Sequence, residues 1–227
     1  MPSIIITGAS GQLGTTVTTH FLEQGFHIAA TVHGSINELD AHPNLAAAQL
    51  DLRDEKAVEA FVKSTALKQG SIDAAILLAG GFAAGTLADT GMDTMKNMYD
   101  LNFTTAYNTA RPVLEQMKKQ GKGKIIFIGA RPAIQPSAAK NMLAYALSKS
   151  LLFRLAECIN EEVKGTHITA TVIVPSTLDT EANRKSMPDA DPTKWVSTRQ
   201  LAEIMEFVIS EKSAALRETI LKVYGRS

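Results

Sequence analysis

Short, nearly unbroken apolar runs alternate along this chain with longer stretches whose apolar positions recur every three or four residues. The runs Ser3–Thr7, His27–His33, Asn44–Leu50, Asp73–Leu78, Lys124–Ile128, Ile168–Val174 and Ile220–Val223 have the length and composition of strands. Between them the spacing predicts helices over Leu13–Gln24, Glu55–Gln69, Asp93–Gln120, Met142–Lys164 and Arg199–Ser210. Ser197 with Gln200 three residues on forms a capping-box pattern at the start of the last one. Strands that are apolar on both faces and separated by helices imply a parallel sheet covered on both sides. Right-handed crossovers then give one α/β domain over residues 1–227, a doubly wound sheet of about seven strands with its ligand crevice at the strand carboxyl ends. The stretch Pro175–Val196 follows neither period and is longer than an ordinary loop, so it is read as a substrate lid.

The first strand breaks into Thr7-Gly8-Ala9-Ser10-Gly11-Gln12-Leu13-Gly14 before a helix begins. A Rossmann-type sheet presents a dinucleotide pyrophosphate to a helix N-terminus in this way. Free backbone N–H groups and the helix dipole attract the anion, and glycine permits close approach. Gly8, Ser10, Gly11, Gln12, Leu13 and Gly14 are therefore candidate cofactor contacts, although the same glycines also suit a plain strand-to-helix turn without a ligand.

Composition narrows the choice. Lys plus Arg and Asp plus Glu both number 23, so there is no basic field for nucleic acid, and the 6% aromatic share argues against base-stacking platforms. The single cysteine, Cys158, lies in an apolar helical pattern and is expected to be a buried structural thiol. With no basic leader and no long apolar segment, the chain reads as a cytoplasmic protein with no membrane partner. The five histidines and the acids show no ligand spacing, so no metal is expected.

Tyr145 and Lys149 lie four residues apart on one helix face, roughly 6 Å along the axis. A phenol titrating near 10 is a poor acid at neutral pH, and a neighbouring ammonium is expected to lower that value and make Tyr145 a usable proton donor. In isolation the spacing is equally a coincidence of common residues. Its place after the fifth strand, where the far end of a dinucleotide laid from Gly8 would arrive, favours the chemical reading.

These motifs, in this order and over essentially the full length, resemble the short-chain dehydrogenase/reductase family. The matched residues are the Thr7–Gly14 turn, Asp51 after the third strand, Ala79-Gly80 after the fourth, Asn102, Tyr145 with Lys149, and Pro175-Ser176-Thr177 with Thr180. The resemblance implies NAD or NADP as cofactor. Asp51 and Leu52 would contact adenine, and Ala79, Gly80 and Gly81 would lie against the ribose. Ile128 and the Pro175–Thr180 loop, including Ser176, Thr177 and Leu178, would lie on the nicotinamide side. It further implies that Lys149 holds the nicotinamide ribose, and that Asn102 kinks its helix and anchors a proton-relaying water; read alone, Asn102 is a helix-surface amide. A homodimer or homotetramer joined through helices is also implied. Within the family the C-terminal half most resembles the quinonoid dihydropteridine reductases, through Leu178–Asp191, Trp195, Gly129-Ala130-Arg131 and Ala79–Phe82. The activity implied is hydride transfer to a C=N or C=O group of a small, pteridine-like substrate.

Three departures qualify the match. The family serine, thirteen residues before the tyrosine, is replaced by Pro132, or by Ala130 if the loop is longer, and Ser137 is either its stand-in or a loop hydroxyl. The pteridine reductases also lack that serine, which fits an imine-like or activated acceptor. The paired asparagine site before Ala79 reads Leu77-Leu78, a core pattern. The second strand ends Thr31-Val32-His33 without a carboxylate for the adenosine ribose, and His33, a part-time cation, tips the choice slightly toward NADP.

Phe82, Arg131, Asn183 and Arg184 are candidate substrate contacts, read against a core aromatic for Phe82 and solvated loop groups for the others. Trp195 is expected to pin the lid by packing. The Leu147, Leu151, Leu155, Ile159 stripe is expected to be core, and Leu152, Phe153 and Ala156 to form a second face against a partner subunit. Two rivals use the same fold, a non-catalytic NAD(P) sensor and a sugar-nucleotide epimerase. The Tyr145–Lys149 pair argues against the first, and the chain is short for the second's substrate domain.

Overall fold

The computed structural model describes residues 1–226. From the N-terminus the elements run β1 (Ser3–Thr7), α1 (Gln12–Glu23), β2 (His27–Val32), β3 (Leu45–Gln49), α2 (Glu55–Gln69) and β4 (Ala74–Leu77). The second half continues with α3 (Met92–Tyr99), α4 (Thr105–Gln120), β5 (Lys122–Ile128), α5 (Leu143–Glu162) and β6 (His167–Pro175). Then come β7 (Leu178–Asp179), α6 (Glu181–Ser186), β8 (Val196–Ser197), α7 (Thr198–Ile209) and β9 (Ile220–Val223). Seven strands form one parallel sheet in the order β3-β2-β1-β4-β5-β6-β9.

Alternation of side chains along each strand divides the core in two. Ile4 and Ile6 face the layer of α1 and α7, with Val17, Phe21, Leu201 and Met205, whereas Ile5 faces the layer of α2, α4 and α5, with Val62, Val113 and Phe153. Each buried isoleucine contributes about 1.5–3 kcal/mol, so a one-residue register slip in β1 would expose or misplace all three. Chain direction across the sheet reverses between β1, which leads to β2 on one side, and β4 on the other. The crevice of a doubly wound sheet opens at that point.

The structure corrects four expectations. The helix expected over Asp93–Gln120 is two helices joined by a wide π-helical turn at Asp100–Thr104. The stretch after Pro175 is not irregular: β7 and β8 pair in parallel, and α6 lies between them, its N-terminus capped by Thr180, whose hydroxyl accepts from Asn183 N at 3.2 Å. On α5 the faces are exchanged. Leu152, Phe153, Ala156 and Ile159 are core, while Leu147 and Leu151 are exposed and Leu155 is half-buried. Cys158 shares that outward face and is exposed, not buried. Two apolar stripes run along this helix, and only the neighbouring β6 and α3 decide which is inside.

Candidate active site

The Gly8–Gly14 turn is shaped by contacts that exclude side chains. Gly8 sits at φ +66°, and a Cβ there would lie 2.9 Å from Ala79 N, so β1 and β4 approach at the crevice by virtue of this glycine. A Cβ at Gly14 would fall 2.1 Å from Gly8 O and 2.8 Å from Ala9, whereas one at Gly11 would meet only Gly8 O, at 3.4 Å. Gly11 precedes α1 and no side chain caps that helix, so its first turn, with Gln12, Leu13 and Gly14, offers free backbone N–H groups. Beside the turn lies a cavity of about 340 Å³. Gly8, Ser10 and Gly11 form one wall, His33, Asp51 and Leu52 the ends of β2 and β3, and Ala79 and Gly80 the floor. A bare helix N-terminus, a turn closed to Cβ atoms and a cavity beside them at the ends of β2 and β3 fit the adenosine and pyrophosphate part of a dinucleotide.

Charges at the rim of that cavity are already engaged. Arg53, which the sequence reading missed, donates from Nε and Nη2 to both Asp51 carboxylate oxygens at 2.8–3.2 Å. These bonds bring the Asp51 carboxyl down to about 2. After β2, Ser35 N donates to Glu38 Oε1 at 3.0 Å, so a carboxylate folds back on the turn beside Gly34. Glu38 lies six residues beyond the end of β2, outside the strand-end position where a ribose-binding carboxylate is expected.

Deeper in the crevice, α5 delivers Tyr145 and Lys149. The Lys149 ammonium is buried and donates to Ile128 O at 2.9 Å. Asn102, fully buried in the π turn, donates through Nδ2 to Gly81 O (3.1 Å) and to Ser148 Oγ (3.0 Å), while Gly81 N donates to its Oδ1 at 3.0 Å. Ser148 in turn donates to Tyr145 O at 2.9 Å. The π turn thus directs an amide that clamps the turn after β4 onto α5, and both amide hydrogens are occupied in doing so. A Cβ at Gly80 would lie 2.6 Å from Asn102 Oδ1 and 3.2 Å from Lys149 Nζ, so glycine is needed where the three groups converge.

The expected electrostatic effect on Tyr145 is reversed. Burial pushes its phenol up to about 12 and the Lys149 ammonium down to about 8. Desolvation disfavours the charged form of each group and is the cause of both shifts. Spacing along a helix cannot report this, because desolvation is set by the residues folded over it.

The candidate substrate groups divide. Phe82 is 61% exposed, with its ring edge-to-face with Tyr145 at 5.2 Å between centroids, so it stands at the mouth of the crevice. Arg131 donates to Gln135 Oε1 at 2.7 Å and lies over the Tyr224 ring at 5.1 Å. Arg184 makes a two-bond pair with Asp179, at 2.6 and 2.8 Å, and Asn183 Nδ2 donates to Leu178 O at 2.9 Å. These three brace their own loops. Ser176 Oγ donates to Tyr224 O at 2.8 Å, Thr177 O accepts from Val196 N, and Leu178 pairs with Val196, which fixes the stretch following Pro175 against the C-terminal strand region. Ala130 is buried at the end of β5, and Ser137 is exposed on a separate turn. Ala182 N donates to Gln12 Oε1 at 3.4 Å, a link from α6 to the glycine turn. Among the described residues, no group of three or more His, Cys, Asp or Glu side chains is placed to hold a metal ion. Among the described residues, no helix is long and apolar enough to cross a membrane.

This arrangement of turn, cavity and Tyr–Lys helix belongs to a class of nucleotide-dependent oxidoreductases. The sequence profile described as short chain dehydrogenase matches residues 2–191, and the chain belongs to that family, whose members use NAD(P). It is 23% identical to an uncharacterized oxidoreductase of Bacillus subtilis over 98% of this chain and 94% of that protein. It is 26% identical to dihydropteridine reductase of Dictyostelium discoideum over 99% and 95%. The ligand-free aldohexose dehydrogenase of Thermoplasma acidophilum shares the fold at a TM-score of 0.87 and 20% identity, covering 99% of this chain and 93% of that one.

Proposed function

We propose that this oxidoreductase is a reductase of a C=N or C=O group in a small planar substrate, of the pteridine kind, with Tyr145 as proton donor. One observation carries the reading. Tyr145 and Lys149 share a turn of α5 at the crevice, with the lysine anchored on Ile128 O and the mouth flanked by Phe82. A bound reduced nicotinamide supplies hydride. Tyr145, held protonated by burial, supplies the proton, and its conjugate base forms as the reaction proceeds. Lys149 therefore acts on the phenolate that develops in the transition state, not on the resting phenol.

Phe82 offers a flat apolar face, and Ala130 leaves no hydroxyl to polarise a carbonyl. Both favour an acceptor that is planar and already activated, and the similarity to the Dictyostelium dihydropteridine reductase points the same way. For the cofactor, the slight lean to NADP meets two opposing observations: Glu38 brings a carboxylate to the turn after β2, and Arg53 is held by Asp51. The carboxylate would repel an extra phosphate, and Asp51 partly balances the arginine's charge, which favours NADH. The exposed Tyr99, Tyr107, Leu147 and Leu151, on α3, α4 and α5, form the face we assign to a homodimer or homotetramer.

Oxidation of NADH and of NADPH with quinonoid dihydropterin and a small carbonyl panel tests the reading. Tyr145→Phe should lower turnover at least about a thousandfold with dinucleotide affinity nearly unchanged. Retained turnover rejects the proton donor. Dinucleotide binding without oxidation by any substrate turns the reading to a non-catalytic sensor, which the raised Tyr145 value and the missing serine would then explain.

A further inference from the structure

The amino-terminal end of the sheet, opposite the crevice, holds a second concentration of charge. Lys122 and Lys124 project from one face of β5, two residues apart, and His167 lies across from Lys122 on β6. Arg217, just before β9, reaches the start of β6, donating from Nη2 to Thr166 O at 3.0 Å and from Nη1 to Ile168 O at 3.5 Å. The end of α7 and the turn after it cover these groups and leave a cavity of about 170 Å³ lined by Lys122, Lys124, Arg217 and His167. Two acids share it. Asp73 lies 3.7 Å from Lys122 Nζ and accepts from Ser3 N at 2.8 Å, and Glu211 stands on the covering turn.

Lys124 is the anomaly. It is half-buried in the sheet and, among the described residues, its ammonium has no hydrogen bond and no ion pair within 4 Å. Burial lowers its pKa, repulsion from Arg217 lowers it further, and attraction to Glu211 offsets this in part. A partly desolvated ammonium facing a guanidinium is unfavourable unless an anion joins them. Arg217 uses one hydrogen from each of two nitrogens on carbonyls, so further donors of its fork are free. The cavity has room for a small oxyanion but not for a nucleotide.

We infer that this cavity is a second ligand site, for a phosphate or carboxylate group bridging Lys124 and Arg217, with Lys122 and His167 beside it. It is separate from the hydride chemistry, being at the other end of the strands.

The test is calorimetric titration of inorganic phosphate, and separately malonate, into the full chain in excess NADH at constant ionic strength. Wild type, Lys124→Met and Arg217→Gln are compared, each with its thermal midpoint. Saturable binding that falls at least tenfold in Lys124→Met and in Arg217→Gln supports the site, and the anion that binds tells phosphate from carboxylate. Lys124→Met should also be as stable as wild type without ligand, because it removes a half-buried ammonium that has no hydrogen bond or ion pair among the described residues. Should that variant not fold, the exposed Arg217→Gln carries the comparison. Absence of saturable binding by either anion, or binding unchanged in the variants, overturns the inference.

Discussion

The glycine turn at Gly8–Gly14 and the segment from Pro175 to Val196 border the same crevice but are held by opposite means. The turn is fixed by backbone lying against backbone, at distances that leave no space for a Cβ at Gly8 or Gly14. Within the segment, β7 and β8 pair, but α6 is braced by surface ion pairs, Arg184 with Asp179 and Lys185 with Glu181, and meets the turn through one 3.4 Å hydrogen bond to Gln12. Exposed ion pairs contribute little to stability, whereas the turn cannot shift without separating β1 from β4. A preorganised anion cradle thus faces the side of the crevice that is easier to displace. On the proposed function, affinity for a dinucleotide would belong to the first region, and admission of substrate to the second.

The largest expected effect breaks the cradle itself. Gly14→Ala places a methyl 2.1 Å from Gly8 O, and neither atom belongs to a flexible side chain. Dinucleotide affinity should fall at least about a hundredfold, and stability by about 2–3 kcal/mol, the usual scale for overpacking. Gly11→Ala, with a single contact at 3.4 Å, should bind nearly as wild type. Fluorescence titration with NADH and a urea unfolding curve for each variant measure both. Equal behaviour of the two variants would show that the turn yields, and the contrast between the regions would be lost.

A middle-sized effect sharpens the comparison at Lys149, which belongs to the rigid half but owes its state to burial. Its folded value is about 8 against an ordinary 10.5, so between these pH values the unfolded chain binds the extra proton. Stability therefore rises with pH through this window. Tyr145 has the opposite sign above its ordinary 10.0, because the folded chain keeps a proton there that the unfolded chain loses, up to about 12. From pH 8 to pH 10 wild type should gain about 2 kcal/mol relative to Lys149→Met, read from urea unfolding at each pH. A flat difference would mean that the ammonium is solvated or paired in solution.

The same division explains what could be read from residues alone. The seven strands, the glycine turn and the Ser197–Gln200 cap follow from local pattern, and each is where the pattern places it. The π turn at Asp100–Thr104 leaves no local mark, because Asn102 is drawn inward by Gly81 and Ser148, which are distant in sequence. The partners of Arg131 and Asp51 could not be chosen among many without coordinates: Tyr224 is remote, and Arg53 is one of several nearby charges. The outward turn of Leu147, Leu151 and Cys158 depends on which face β6 and α3 cover. The Tyr145 value depends on desolvation, a property of the whole enclosure. Local geometry was legible; side-chain partners and titration were not.

The smallest expected effect tests whether the segment after Pro175 touches substrate through its cation. Arg184 gives both its Nε and Nη2 hydrogens to Asp179, and the pair is exposed. If that pairing persists in the working enzyme, Arg184→Ala frees the segment without removing a substrate contact. KM should then stay within about twofold and kcat should hold or rise slightly if opening of the segment limits turnover. Asp179→Ala should behave the same way, because it breaks the same pair from the other side. If Arg184 instead leaves Asp179 to bind a polar heterocycle, loss of a charge-assisted hydrogen bond should raise KM about tenfold or more. Asp179→Ala would then lower KM by releasing the arginine toward the crevice. Opposite signs for the two variants would place recognition on the movable side, and like signs leave it with Phe82 and the rigid floor of the crevice.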